Sequence, residues 1–482
     1  MRSSASQGGT IAAEFIEHSA SELARLVRDG VVSAREVIEA HLERIAEANP
    51  RLNAIVTLRA DQAQEEAARV DRAIGDGSDL PLAGVPFTVK DVIAAGGVRM
   101  TGGTPFLKAF VPHMDATAVA RLREAGAILL GKTNCPEFAL FGYTTNSLFG
   151  ETQNPFGAVT VGGSSGGEAA AIATRCSALG LGTDFGGSVR WPAHCTGILA
   201  LRPTAGRVPG TGQLPSPSLD EPLIPSRDTF QGRVQVVGPL GRSVDDLELA
   251  LRIMAGPDQI DPLAIAARLG RSRDVQVARV GVWDGPSSPR VRDDVIAVVH
   301  KAGQALQDLG VSVDGERPRM LERAVTLYSE LRDLDRLRDV RQLVRGRESE
   351  VGDDVRAAIA AAEEAERRAP SADAVALWEE RDQLGGEFVS YLDRHAVLLM
   401  PVATVPPYAA AGRPPSVDGT DQTIWDVLAP CRLISLFGVP AASVPFGMSA
   451  EGLPIGVQVV GGPFREDEVL AVARMLMTAL GR

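Results

Sequence analysis

The sequence predicts an α/β sheet protein, and three features carry that expectation. Between residues 84 and 205, short apolar runs alternate with a helical pattern and with glycine-rich loops. Capping residues mark helix starts and stops on both sides of this core. Residues 317–395 are helical in pattern, dense in Arg and Glu, and almost without strand signal, so they read as an insertion over the core.

The elements follow in chain order. Residues 1–10, rich in Ser and Gly, form a loose tail, and two amphipathic helices come next. The second starts at Ser33, with Glu36 three residues on as a capping box, and stops at Asn49-Pro50. A third helical stretch covers 60–74. Strands are expected at 86–90 and 128–131, with a helix at 115–125 between them. The richest glycine segment, 162–187, encloses an Ala-rich helix near 168–173. After the loops around 203–225 comes a helix with Ser243 as N-cap, Asp245 and Asp246 in its first turn, and Gly256-Pro257 as its stop. Beyond the insertion lie a strand-like run at 397–400, a Pro-rich loop at 406–415, strands near 442–444 and 455–460, and a closing helix at 466–480. No internal repeat is visible, and residues 1–482 read as one domain with its core at 84–205.

Composition bounds the function. The 482 residues are 45% apolar and 23% charged, which excludes global disorder. At roughly 150 residues per domain the length would equally allow about three domains. No run approaches the ~18 apolar residues of a membrane span. The first thirty residues hold no apolar signal-peptide core, so a cytoplasmic protein is expected. A net charge of −12 disfavours nucleic acid and anionic membranes as partners. Cys135, Cys176, Cys195 and Cys431 lack CxxC spacing and read as buried thiols of a reducing compartment.

Three segments could carry chemistry. Gly162-Gly163-Ser164-Ser165-Gly166-Gly167 has no bulky side chain, so its backbone can turn sharply and expose hydroxyls and amides. G-x-S-x-G fits it twice, centred on Ser164 or Ser165, as in the nucleophile elbow of an α/β-hydrolase; a plain Gly/Ser loop would give the same letters. In the stretch from Gly182 to Arg190, Gly186 and Gly187 precede Ser188 and can aim consecutive N–H groups into one space, as an oxyanion hole requires. Asp184 and Arg190 bracket this turn with opposite charges, and a salt-bridged structural loop is the alternative. Lys90 ends the apolar run 85–89, where desolvation would lower its pKa and free it to act as a general base. A strand-end lysine snorkelling to water is the alternative there.

In this order and with these intervals, the three segments together resemble the amidase signature family. Matching text runs through Gly84-Val85-Pro86, Val89-Lys90-Asp91, Gly131-Lys132-Thr133-Asn134, Asn154-Pro155, the GGSSGG loop, 182–190 and Arg202-Pro203-Thr204. Weaker echoes lie at Gly238-Pro239 and 452–458. The resemblance implies an amidase-signature fold, a large mixed β-sheet surrounded by α-helices, and a hydrolase that cleaves carboxylic amide C–N bonds. It makes Ser188 the acylated nucleophile, Ser164 the bridging serine on a cis peptide, and Lys90 the terminal base. Backbone amides of Phe185, Gly186, Gly187 and Ser188 would form the oxyanion hole, while Ser165, Asp184 and Arg190 would hold the loop.

A lysine base implies a neutral-to-alkaline pH optimum. Phe185 and Trp191 flank the nucleophile, at positions where glutamine-specific family members tend to carry small or polar residues. With Phe138, Phe141 and Tyr143 upstream, the set suits small or aryl amides, with ester or carbamate cleavage besides; ordinary core packing is the alternative for the upstream rings. The segment 317–395, with Tyr328 and Trp378, is expected as a lid or pocket wall. A glutaminase subunit of a tRNA-dependent amidotransferase and a non-catalytic scaffold stay open, although intact Lys90, Ser164 and Ser188 argue against the scaffold. The partner expected is a small-molecule amide, with no nucleic acid and no membrane, and homo-oligomerisation is left open. His194 reads as structural because a lysine relay leaves it no role. The remaining histidines lack H-E-x-x-H or comparable spacing, so neither a metal nor an organic cofactor is expected.

Overall fold

Short apolar runs, several of them interrupted by glycine, supply eleven strands. They are β1 (Ile55–Leu58), β2 (Pro86–Lys90), β3 (Ile128–Thr133), β4 (Leu179–Asp184), β5 (Leu199–Arg202), β6 (Val236–Gly241), β7 (Arg279–Val282), β8 (Ser312–Asp314), β9 (Val397–Pro401), β10 (Ala441–Met448) and β11 (Pro454–Gly461). In this computed structural model, which describes residues 15–368, 374–410 and 412–481, all eleven join one sheet. The tail expected at 1–10 lies outside the described residues. The strand order is β1-β3-β2-β4-β6-β5-β10-β11-β9-β7-β8. β2 runs parallel to β3 and β4, and β7 to β8 and β9, while the remaining pairs are antiparallel, so the sheet is mixed as expected.

Every residue of β2, β3, β4, β9 and β11 is buried, because helices cover both faces of the sheet. A strand covered on both sides has no reason to alternate apolar with polar residues. That is why β4 (LGLGTD) and β6 (VVGPLG) escape a pattern search.

The helix capped by Ser33 does form its capping box with Glu36, but it runs Ala34–Leu52. It passes Pro50 and ends three residues later than expected, where Asn53 takes the left-handed conformation of a C-cap. The helix starting at Ser243 spans Val244–Met254, with the Ser243 side chain accepting from Asp246 N–H.

The segment 317–395 contains helices Met320–Asp335, Arg338–Leu343, Asp353–Arg368 and Ala374–Arg394. Two of them, Met320–Asp335 and Ala374–Arg394, pack on each other and on helix Ala429–Leu436. Leu327, Tyr328, Phe388 and Leu392 are buried there in a second apolar cluster that also takes in Leu398 and Met400 of β9. Each such side chain contributes about 1.5–3 kcal/mol by burial, so these two helices are built into the fold. Among the described residues, no helix is long and apolar enough to cross a membrane.

Candidate active site

Parallel β2 and β4 are neighbours, so their C-terminal ends meet at one edge of the sheet. Lys90 is the last residue of β2, and Asp184 the last of β4, leading into the loop with Ser188. Helix Gly166–Ala173, on the way from β3 to β4, starts over the same edge and sets the GGSSGG loop between them. Ligands of open α/β sheets bind at such carboxyl ends.

Lys90 is fully buried, which excludes the snorkelling alternative. Its Nζ donates to Ser164 Oγ at 2.6 Å and to Thr183 Oγ1 at 2.8 Å. Burial lowers its pKa to about 8, against the opposing pull of Cys135, Asp184 and Glu168. Glu168 lies fully buried on the Ala-rich helix, accepting from Thr88 Oγ1 and, at 2.7 Å, from Thr133 Oγ1. Burial pushes its carboxyl up to about 7. No motif marks Glu168 as part of the site; the one signal in the sequence is a single acid inside the alanine run behind the GGSSGG loop.

The Gly163–Ser164 peptide is cis. Gly163 presses on Tyr143, whose N and O would lie 2.5 Å from any Cβ placed there, so only glycine fits. Residues 151–163 contain isolated bridges and no strand. A nucleophile elbow needs a strand leading directly into its serine, so that alternative for Ser164 and Ser165 falls.

Ser188 is half-buried, and among the described residues its Oγ takes part in no hydrogen bond. Its carbonyl accepts from Ser165 N–H at 3.1 Å, and Ser165 Oγ donates to Thr183 O at 3.4 Å, so Ser165 ties the two loops together. Lys90 and Ser164 are thus in direct contact, whereas Ser188 is joined to them through the backbone of the adjacent residue.

Asp184 organises the loop. Its Oδ1 accepts from Gly187 N–H (2.9 Å) and Arg190 (2.8 Å), and its Oδ2 from Val189 N–H (3.2 Å) and Arg190 Nε (3.0 Å). Arg202 donates to its carbonyl at 2.6 Å. Burial alone would raise the Asp184 pKa, but Arg190 and Arg202 hold the carboxyl well below the usual range. Arg190 also reaches Ser435 Oγ (2.7 Å), Cys431 O (3.1 Å) and Gln458, which fastens the loop to helix Ala429–Leu436 and to β11.

Of the four amides expected to face an oxyanion, Gly187 N–H donates to Asp184 Oδ1. The N–H groups of Phe185, Gly186 and Ser188 have no acceptor among the described residues. Gly187 has φ +117, and a Cβ there would lie 2.6 Å from Cys431 Cβ; its part is to make the turn.

The aromatic residues divide. Phe138 and Trp191 are fully buried, with the Trp191 indole N–H donating to Gly142 O at 3.0 Å, so neither offers side-chain surface to a ligand in this state. Phe141 and Tyr143 are half-buried and stacked at 5.2 Å, and the Tyr143 hydroxyl donates to Asp354 of the insertion at 2.6 Å. Tyr328, also from the insertion, packs on Phe185 at 5.4 Å and donates to the Phe185 carbonyl at 3.4 Å. Sequence spacing could not place it beside Phe185, 143 positions away. His194 Nδ1 accepts from Gly456 N–H at 3.1 Å, and burial lowers its pKa to about 4, as suits a neutral structural histidine. All four cysteines are buried and free; burial pushes the Cys135 and Cys431 thiols up to about 12.

This edge of a mixed sheet, with a buried lysine on a cis-serine, falls within a chain whose residues 36–470 match the family model described as Amidase. The chain belongs to the amidase signature family, and it is a hydrolase of carbon–nitrogen bonds in amides. It is 35% identical over 475 residues to a glutamyl-tRNA(Gln) amidotransferase subunit of Synechococcus sp. (strain CC9605), covering 93% of each chain. It is 30% identical to indoleacetamide hydrolase of Bradyrhizobium diazoefficiens, covering 96% of this chain and 86% of that relative. A bacterial aryl acylamidase of the amidase signature family superposes with a TM-score of 0.81 at 27% identity, covering 96% of each chain.

Proposed function

We propose that the chain is a free-standing serine amidase acting on small or aryl amides, with ester and carbamate cleavage as side activities. The observation that carries this reading is the buried Lys90 Nζ, 2.6 Å from the hydroxyl of cis-peptide Ser164. Neutral Lys90 takes a proton from Ser164 as Ser164 takes one from Ser188, whose Oγ then attacks the amide carbon. The N–H groups of Phe185, Gly186 and Ser188 stabilise the resulting oxyanion, each donor being worth roughly 3–4 kcal/mol in the transition state. The proton held on Lys90 returns through Ser164 to the leaving nitrogen, because an amide anion is too poor a leaving group to depart unprotonated. The amine leaves and the acyl group stays on Ser188. Water then gives a proton to the same relay, attacks the ester and releases the carboxylic acid.

Phe185, three residues before Ser188 and half-buried against Tyr328 and Phe230, supports an aryl or apolar substrate group. The stacked Phe141 and Tyr143 are the further pocket candidates. Four buried free thiols support a reducing, cytoplasmic setting.

The likeness to the amidotransferase relative favours a second reading, glutamine hydrolysis within a complex. The purified chain, assayed alone on acetanilide, indole-3-acetamide and L-glutamine, separates the two. The aryl substrates should be cleaved with a kcat/KM at least about tenfold above glutamine, a gap of about 1.4 kcal/mol. Glutamine cleavage that exceeds both, or activity that needs a partner chain, would overturn the proposal.

A further inference from the structure

The insertion leaves the sheet just after β8 and returns just before β9, and three chemistry-bearing residues meet where the chain goes out and comes back. Asp314 ends β8, Glu316 follows it by two, and His395 precedes β9 by two. One ligand atom from each lies within 4.8 Å of the other two. They are distant from the relay and take no part in it.

His395 is the informative member. Its side chain is fully buried, and its Nδ1 lies 3.0 Å from the carbonyl of Tyr391. A carbonyl can only accept, so Nδ1 carries a ring proton, and Nε2 is the ring atom left to meet a ligand. Nε2 has no hydrogen-bond partner and faces Asp314 Oδ2 at 3.6 Å. A buried ring nitrogen beside a carboxylate oxygen calls for a proton or a metal ion between them. Bonds of about 2.0–2.2 Å from one metal ion would bridge that separation.

The surrounding groups fit the outer shell of such a site. Arg279 pairs with Asp314, Arg394 Nη2 donates to Glu316 Oε1 at 2.7 Å, and Glu316 N–H donates to Asp314 Oδ1 at 2.6 Å. These contacts orient both carboxylates, as outer-shell partners of metal ligands do, and leave His395 Nε2 without a hydrogen-bond partner. Tyr391 stacks on the ring at 4.4 Å and fixes its plane. Glu316 is exposed, so water can complete the coordination.

We propose that Asp314, Glu316 and His395 bind a divalent transition-metal ion of the zinc class, clasping the neck of the insertion. One imidazole nitrogen with two carboxylates selects such an ion over calcium or magnesium, which prefer all-oxygen sites. The site joins residues on both sides of a long loop, so its occupancy closes that loop and favours the folded insertion. The expectation of no metal rested on histidine spacing along the chain, and these ligands are brought together only by the fold.

The test uses the full-length chain, stripped with a chelator and titrated with Zn2+ by calorimetry, with thermal melts in parallel. One equivalent should bind saturably and raise Tm, Co2+ should give the visible spectrum of a low-coordinate site, His395→Ala should abolish both, and Glu316→Gln should weaken binding at least about tenfold. Should His395→Ala fail to fold, the exposed Glu316→Gln carries the test. Absence of saturable binding in the wild type overturns the proposal. So does binding of equal affinity in Glu316→Gln, since the ion would then sit on other groups.

Discussion

In the proposed relay Lys90 serves catalysis at the expense of stability, and both effects come from its burial. A pKa near 8 leaves part of the amine neutral at mild pH, so kcat/KM should fall with decreasing pH as Lys90 protonates below about 8. A pH–rate profile checks this, and an acid optimum would contradict it. Glu168, while ionised, holds the Lys90 proton on, so Glu168→Gln should move that acid limb to lower pH by up to about 1 unit; a merely structural Glu168 would leave the limb in place. Lowering the pKa from 10.5 to about 8 disfavours folding by about 3 kcal/mol at pH 7. That cost is fully present below pH 8, where folded and unfolded chains are both protonated. It shrinks as pH rises to 10.5, because the unfolded chain holds a proton that the folded one has released. Lys90→Met should therefore be inactive, yet up to about 3 kcal/mol more stable in denaturant titrations at pH 7, with less gain at pH 10. At this scale the sequence was informative: Lys90 and Ser164 meet as their motifs implied. The Asp184–Gly187 contact was not legible, because it depends on the direction of one N–H within a turn.

At the scale of the element, the loop after β4 is held by a buried carboxylate between two buried arginines. Removing one partner of such a network typically costs about 3–5 kcal/mol, because it strands a charge in the interior. Asp184→Asn should lose that much stability, read by denaturant melts, and most of its activity. Tyr328→Phe deletes only the long hydrogen bond to the Phe185 carbonyl, so stability should drop by about 1 kcal/mol. A change in kcat at unchanged KM would show that the insertion positions the oxyanion loop and not the substrate. Helix starts with a capping Ser were legible to the residue, as at Ser33 and Ser243. β4 and β6 were not, since strands covered on both faces and broken by glycine or proline show no clear alternation, and β5, four residues long, is too short to stand out.

Across the whole molecule, the sheet brings together strands far apart in sequence, and no local pattern encodes that order. β5 pairs with β10, and β6 lies between β4 and β5, so the closing third of the chain completes a sheet begun by the first. The site inherits this: Arg190 finds Ser435 and Gln458, and Phe185 finds Tyr328, across distances only the fold spans. Asp314 and His395 likewise come within 3.6 Å at the neck of the insertion, and no spacing rule connects them. Lys90, Ser164 and Ser188 are different, since they sit in text that marks the family.

The most direct test of the Ser188–Ser164–Lys90 relay is labelling with a fluorophosphonate serine-hydrolase probe, the adduct being located by peptide mass spectrometry. Wild type is compared with Lys90→Ala and Ser164→Ala. A single adduct is expected, on Ser188, formed much more slowly in both variants. An adduct on Ser164 or Ser165 that survives the loss of Lys90, or no adduct at all, would contradict the relay.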